Sequence, residues 1–294
     1  MTGEGKSPKD YLEDLRRFRE ALMWTASQTG FSERLIEKDY YCSTLLTDLK
    51  LLFEQGLIFK GGTCLSKVHS KFFRLSEDLD FGLSVNSNAS HGHRRRAAEP
   101  IKAHLAGIMD RLPFFFEATR LKGAHHNKHY TAQFAYRSVI TGENDSIKME
   151  FSLREEMLLP CEELPANTIL IDPLTNTAVL SPIAVRALSL REAYSEKTRA
   201  ALTRPEPAIR DFFDIDNAVR NGLLDHSAPE FLNLVSRKLA LTQDPVNTST
   251  ERIEILTRQI ETQLKPVLRS ADYEQFDLDR VLVILRQVVD GCLK

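Results

Sequence analysis

Apolar residues recur with a helical period in two stretches near the start of the chain, residues 9–28 and 32–55. Each stretch predicts an amphipathic helix. The continuous apolar run 57–59 predicts a short buried strand, and a further helix is predicted after Gly61-Gly62, ending at about Phe73. The opening of the chain therefore predicts two helices, a strand, a glycine turn and a third helix, in that order.

Residues 78–85 alternate between polar and apolar, which is typical of a strand with one buried face. The apolar positions are Leu79, Phe81, Leu83 and Val85, and the opposite face carries Asp78, Asp80, Gly82 and Ser84. A helix is then predicted at 94–112, and strands at 114–121, 130–139 and 146–154. The pattern up to residue 160 thus predicts a mixed α/β domain.

Beyond residue 160 the pattern becomes mainly helical. Short strand-like pieces at 168–171, 178–180 and 184–188 precede helices at 190–203 and 208–221, and three more helices extend to 294. Ser189 and Glu192 have the spacing of a capping box at the start of the first of these helices. We therefore predict an α+β protein with a mixed-sheet domain at residues 1–160 and a mostly helical domain at 161–294.

The composition indicates the class of protein but no particular function. Of the 294 residues, 42% are hydrophobic and 27% charged, as in ordinary globular proteins. No apolar run approaches the roughly 18 residues of a membrane span, and the N-terminus lacks the apolar core of a secretory signal. The four cysteines are scattered, which indicates neither a zinc site nor a disulfide framework. We expect a cytoplasmic protein without membrane contact.

The formal net charge of −2 excludes a protein that coats nucleic acid with its whole surface. Local attraction for RNA would have to come from clusters such as Arg94-Arg95-Arg96 or residues 122–128. The histidines His125, His126 and His129 lie in or beside the second cluster. Because no further ligand stands at zinc spacing, a loop that meets RNA phosphates is the preferred interpretation there.

Asp78 and Asp80 are the candidate metal ligands, since residues two apart on a strand project from one face. Carboxylate oxygens suit Mg²⁺ or Mn²⁺ better than zinc. The preceding strand ends at Lys60 and delivers the chain into Gly61-Gly62, where missing Cβ atoms let the backbone approach a phosphate. A strand, a glycine pair, a helix and an acidic strand in this order indicate a metal-dependent transfer of a nucleotide from an NTP.

Two further residues carry open alternatives. Glu150 lies on the polar face of its predicted strand and is either a third carboxylate, acting as metal ligand or base, or a surface acid. Ser76 is either a nucleotide contact or a residue that satisfies a local turn. The residue pattern alone does not choose between these alternatives.

The run from Phe59 to Phe81, FKGGTCLSKVHSKFFRLSEDLDF, resembles the nucleotidyltransferase-like toxins of the AbiEii and MenT type from bacterial toxin–antitoxin and phage-abortive systems. Residues 36–40 and 187–200 resemble further segments of that family, as do Arg210-Asp211 and Asp214. The resemblance spans roughly residues 34–220. It implies a polymerase-β-like nucleotidyltransferase fold.

The resemblance also implies roles for individual residues. Asp78 and Asp80 would hold Mg²⁺, Gly62 and Thr63 would bind phosphate, Lys197 would contact the triphosphate, and Asp211 would complete the site. Members of this family transfer nucleotides, several of them to the 3′ acceptor end of tRNA, and a cognate antitoxin silences them. From the residues alone, Lys197 would instead lie on a solvated helix face, and Asp211 could equally form a structural ion pair with Arg210.

Two other functions remain open at this point. One is the same metal chemistry directed at a small molecule or a protein. The other is a catalytically silent binding module that keeps the fold, although the presence of Asp78, Asp80 and Lys197 counts against it.

Overall fold

The computed structural model describes residues 8–86, 88–153, 157–242, 244–247 and 249–293, with side chains from Tyr11 onward. Its internal contacts divide the chain into two compact units, one ending at Leu188 and the other beginning at Ser189. The boundary predicted near residue 160 is therefore replaced by one after Leu188. The reason is that two strands beyond residue 160 pair with the main sheet, as described next.

A seven-stranded mixed sheet forms the centre of the first unit, within the described residues, in the order β3-β4-β5-β2-β1-β9-β6. The strands of this sheet are β1 Leu57–Lys60, β2 Leu79–Leu83, β3 Phe115–Ala124, β4 His129–Arg137, β5 Asn144–Ser152, β6 Glu162–Ala166 and β9 Ile183–Ala187. A separate two-stranded ribbon pairs β7 Ile171–Asp172 with β8 Thr177–Ala178. The predicted mixed sheet is thus confirmed.

Strand β6 was missed because Pro165 interrupts its apolar pattern. Proline is tolerated in a sheet mainly on an edge strand, and β6 is the edge strand next to β9. Strand β9 lies parallel to β1, with Phe59 opposite Ala187, so the chain returns to the middle of the sheet before the second unit begins.

Eight helices belong to the described part of the first unit: α1 Pro8–Glu13, α2 Leu15–Thr29, α3 Glu33–Asp48, α4 Lys50–Glu54, α5 Gly61–Cys64, α6 His91–Ala97, α7 Glu99–Ala106 and α8 Ile108–Arg111. A π-helical turn, Leu65–His69, continues α5. The single helix predicted at 94–112 is divided into three. Pro100 restarts it at α7, and Gly107 ends α7.

The buried face of β2 forms the core of the sheet, as the alternation predicted. Leu79 and Phe81 are fully buried, and the ring of Phe81 stacks on Phe151 of β5 with centroids 5.1 Å apart. Phe59 of β1 packs on the same ring at 5.7 Å. Burial of these aromatic rings fixes β1, β2 and β5 relative to one another, and with them the residues on the opposite, polar face.

The second unit is helical in its described residues, with α9 Leu190–Thr203, α10 Ile209–Arg220, α11 Pro229–Ala240, α12 Thr250–Gln259, α13 Ser270–Gln275 and α14 Leu278–Cys292. The predicted cap of α9 is confirmed, since the Ser189 hydroxyl accepts the N–H of Glu192. Four helices rather than three follow α10. Among all helices described in either unit, none combines the length and the apolarity that a membrane span requires.

Candidate active site

The glycine turn and the acidic strand are in direct contact. Lys60, the last residue of β1, lies opposite Asp80 in the antiparallel β1–β2 pair. Gly61 follows with φ of 75°, a conformation that favours glycine. A Cβ on Gly61 would lie 2.1 Å from Oδ2 of Asp80, so no larger residue fits without moving the carboxylate. The turn therefore needs glycine for both its conformation and its closeness to the acid.

The second glycine faces two polar side chains from the segment that leads into β2. A Cβ on Gly62 would lie 2.7 Å from Nη2 of Arg74 and 3.0 Å from Oγ of Ser76. Ser76 therefore lies against the glycine turn. Arg74 is buried, and its guanidinium donates to the carbonyl of Leu75 at 3.2 Å. Sequence reasoning assigned Arg74 no role, because an arginine in a polar run is expected at the surface.

Thr63 links the glycine turn to the first acid. Its buried hydroxyl donates a hydrogen bond to the main-chain carbonyl of Asp78, the residue just before β2. Because that proton is used, the hydroxyl cannot at the same time donate to a phosphate. A phosphate contact by Thr63 would fall to its backbone N–H, while its side chain holds the acidic segment in place.

Glu150 lies beside Asp80 in the parallel β2–β5 pair, as expected for a third carboxylate on this face. It contacts His129 at 3.8 Å and forms an ion pair with Lys148. His129 and then Lys148 lower the pKa of Glu150 to about 2. Because a carboxyl with so low a pKa is a weak base at neutral pH, this arrangement favours a charged, paired Glu150 over a general base. His129 opens β4 instead of lying in the predicted loop.

The negative charges of Asp78 and Asp80 both act on the ammonium group of Lys148. Glu150 raises the pKa of Lys148 most, and the negative charges of Asp78 and Asp80 raise it further. Both acids are also half-buried, at the edge of the packed core. Asp78 and Asp80 thus contribute to one electrostatic environment.

The donor chemistry of this site fits Mg²⁺ or Mn²⁺. Asp78 and Asp80 offer hard oxygen ligands, and Mg²⁺ in nucleotide sites is typically held by one or two carboxylates together with substrate phosphates. Because Gly61 has no Cβ, the carboxylate of Asp80 lies directly against the backbone of the glycine turn. Among the described residues no group of three or more His, Cys, Asp or Glu side chains is arranged to hold a metal ion by itself. The role of Glu150 as a metal ligand therefore stays a prediction.

Helix α3 holds the acidic segment from behind, through charges that the sequence did not reveal as functional. Arg34 contacts Glu77 at 3.3 Å and Asp145 at 3.1 Å. Lys38 is buried and contacts the same two carboxylates, at 3.9 and 3.1 Å. Glu77 directly precedes Asp78, and Asp145 lies on β5, so these ion pairs tie two neighbouring parts of the site to one helix.

Helix α3 is also bonded to the helical turn that follows the glycines. The buried ammonium of Lys67 lies 2.7 Å from the carboxylate of Asp39 and donates to Ser43 at 2.7 Å. These contacts fix the segment after α5, and the only signal for them in the sequence was the resemblance of residues 36–40 to the toxin family.

In the second unit, Lys197 and Asp211 form an ion pair. The ammonium of Lys197 lies 2.7 Å from Asp211 and 3.0 Å from Asp214, and Arg204 contacts Asp211 at 3.1 Å. Both aspartates are buried, and Lys197 is mostly so. The solvated helix face considered for Lys197 is therefore wrong. Asp211 does form an ion pair, with Lys197 and Arg204.

The fold and the glycine–acid arrangement define a nucleotidyltransferase-like protein. The family model of the nucleotidyl transferase AbiEii toxin of type IV toxin–antitoxin systems matches residues 44–282. The chain belongs to this AbiEii family of nucleotidyltransferase toxins. The resemblance drawn from the sequence is thereby confirmed.

Solved structures support the fold. The chain is similar to JHP933 from Helicobacter pylori, with a TM-score of 0.53 and 14% identity over 90% of this chain and 94% of that one. A second H. pylori protein, provisionally named a nucleotidyltransferase, matches at a TM-score of 0.46 and 14% identity, over 88% and 91% of the two chains, and we base no conclusion on it. No curated protein matches the chain.

Proposed function

We propose that this protein transfers a nucleotide from an NTP to an RNA acceptor, the 3′ end of tRNA, and thereby blocks translation. One observation carries the proposal: Gly61 lies so close to Asp80 that a phosphate on the glycine turn would meet the carboxylate. Membership of a nucleotidyltransferase toxin family supports the reaction class.

In the proposed reaction, the chain binds and orients the triphosphate. The backbone of Gly61, Gly62 and Thr63 would contact the phosphates, with Lys60 and Ser76 beside them. Asp78 and Asp80 would hold Mg²⁺ or Mn²⁺, which supplies neutralisation of charge on the phosphates. The acceptor hydroxyl oxygen forms a bond to the α-phosphorus, the bond to pyrophosphate breaks, and the hydroxyl proton leaves to solvent.

We also assign roles to two residues of the second unit, on the strength of the family resemblance. Lys197 would contact the triphosphate, and Asp211, 2.7 Å from its ammonium, would orient it. A lysine that a buried carboxylate already holds in place loses less conformational entropy on binding an anion than a mobile lysine does. The proposal also includes a cognate antitoxin that silences the protein and a cytoplasmic location, as expected for a toxin that acts on tRNA.

The test is transfer of label from each α-labelled NTP to unfractionated tRNA in the presence of Mg²⁺. We expect label on tRNA with the wild type and a fall of at least roughly 10³-fold with Asp80→Ala, since metal-bound charge stabilisation contributes several kcal/mol. Asp110→Ala, which removes an exposed carboxylate on α8, is the matched control and should transfer as the wild type does.

Label on protein or on small molecules would contradict the RNA acceptor. Equal transfer by the wild type and Asp80→Ala would contradict the assigned site. Expression in cells adds a second measurement: the wild type should slow growth and Asp80→Ala should not.

A further inference from the structure

Positive charge is concentrated in one part of the first unit. Residues 91–128 contain eight Lys or Arg and three Asp or Glu, a net charge of +5, whereas the whole chain carries −2. Six of the eight histidines lie between residues 91 and 129. A local positive excess in an otherwise acidic chain is typical of a surface that binds a polyanion.

The structure joins the two basic segments of this region, which lie far apart in the sequence. His91, the first residue of α6, accepts a hydrogen bond from the amide of Asn127 in the β3–β4 turn at 2.9 Å. The buried Arg94 donates to the carbonyl of Leu153 at 3.2 Å, and the N–H of Leu153 donates to the carbonyl of Lys128 at 2.8 Å. Helix α6 is therefore fixed against the β3–β4 turn.

With Arg94 turned inward, the neighbouring cations face solvent. Arg95, Arg96, Lys122 and Lys128 are all exposed, and we refer to these four residues as the basic surface. His125 and His126, also exposed, lie in the turn between the two lysines, where the backbone takes three consecutive left-handed residues. Such a backbone is costly for residues other than glycine, which indicates that the turn is held in one conformation.

Lys122 of the basic surface is connected to Asp80 by a row of paired residues that crosses the sheet. Asp80 lies opposite Glu150, Glu150 opposite Thr131, and Thr131 opposite Lys122. Opposed residues project from the same face, so this row crosses three strand spacings, or roughly 14 Å, on the polar face. A polyanion that contacts Lys122 could therefore extend along this face to the acids.

We propose that the basic surface binds the phosphate backbone of the acceptor RNA. The contacts are electrostatic and independent of base sequence, since lysine and arginine at exposed positions recognise phosphates. The identity of the ligand rests on the proposed function, whereas the location of the surface rests on the charges and contacts described above.

The experiment measures binding without catalysis. Fluorescein-labelled unfractionated tRNA is titrated with protein, in the absence of NTP and Mg²⁺, at several salt concentrations. Arg95→Gln/Arg96→Gln and Lys122→Gln/Lys128→Gln should each weaken binding roughly 10- to 30-fold at 0.15 M salt and reduce the slope of log affinity against log salt by about 1.4–1.8. Arg16→Gln/Lys50→Gln removes two exposed cations elsewhere in the same unit and should bind as the wild type does.

The proposal is wrong if both pairs of variants bind tRNA with unchanged affinity and salt dependence. It is also wrong if the control variant loses as much affinity as they do. Preserved RNA binding together with loss of binding to an acidic protein would also overturn it, in favour of a protein partner. If tRNA binds through the basic surface but receives no label, the proposed function is wrong and the proposed RNA-binding surface is retained. If label is transferred to tRNA while the basic variants bind tRNA as the wild type does, the proposed function is retained and the RNA-binding surface is wrong.

Discussion

The two units of this protein place charged residues in opposite ways. In the first unit Asp78 and Asp80 are half-buried, and the carboxylate of Asp80 lies directly against a glycine turn. In the second unit Glu192 and Lys238 are completely buried and lie 2.7 Å apart, with Glu196 as a second partner of the ammonium at 3.1 Å. Solvent reaches the acids of the first arrangement, whereas the charges of the second are enclosed by protein.

This difference predicts which substitutions change the activity and which change the stability of the fold. A carboxylate that water reaches costs the fold little, whereas a charge that is fully buried must be paired. Substitutions at the glycine turn should therefore change activity more than stability. Substitutions in the buried Glu192–Lys238 pair of the second unit should do the opposite.

The largest effect is expected for Lys238→Met in the second unit. Removing the ammonium leaves Glu192 buried without its cation, which should lower the free energy of unfolding by about 3–5 kcal/mol. Urea denaturation followed by circular dichroism measures the change. Lys265→Met is the matched control, because Lys265 pairs with Glu261 at an exposed position and its loss should change stability little. A loss in the control as large as in Lys238→Met would remove the distinction.

Next in size is the effect of Gly61→Ala in the first unit. The added Cβ would meet Oδ2 of Asp80 at 2.1 Å, so the carboxylate must move, and transfer of label to tRNA should fall by about 10²-fold. The control is Gly142→Ala, at a similar φ of 72° but with nothing within 4 Å of the added atom. Both variants bear the same backbone strain, so an activity loss confined to Gly61→Ala isolates the contact with Asp80. Equal activity of the two would show that the carboxylate position is unimportant.

The sequence was sufficient to predict that the glycine turn and the acidic strand belong to one site, for a physical reason. Alternation in residues 78–85 required one buried face, and the short apolar strand before Gly61 had to pair nearby in the sheet. Antiparallel pairing then set Lys60 opposite Asp80. Local periodicity and short connections carry most of that information.

Other features depend on contacts that local patterns do not encode. The pKa of Glu150 is lowered by His129 and by Lys148, and its contact with His129 follows only from the pairing of β4 with β5. Arg74 and Lys38 are buried although long charged side chains are expected at the surface. Strand β6 escaped notice because of its proline. Apart from β6, these misses concern partners distant in the sequence.

The smallest effect, and the one that tests the comparison most closely, is expected for Lys38→Met. Lys38 is a buried, paired charge like those of the second unit, yet its partner Glu77 adjoins Asp78. Arg34 still contacts Glu77 and Asp145 in the variant, so stability should fall only modestly. The acidic segment loses one of its two anchors, and kcat for transfer should fall about tenfold, or 1.4 kcal/mol, with KM for tRNA unchanged.

Arg17→Met is the matched control for Lys38→Met. It breaks an ion pair with the buried Asp172 at 2.8 Å, in the same unit, and Asp172 keeps the hydrogen bond from Tyr11. Urea denaturation of both variants and initial rates of transfer separate the two outcomes. If Arg17→Met lowers kcat as much as Lys38→Met does, the effect on catalysis is a general consequence of destabilising the first unit. If only Lys38→Met lowers kcat, a buried pair in this fold supports the chemistry as well as the stability, because it fixes the backbone from which Asp78 projects.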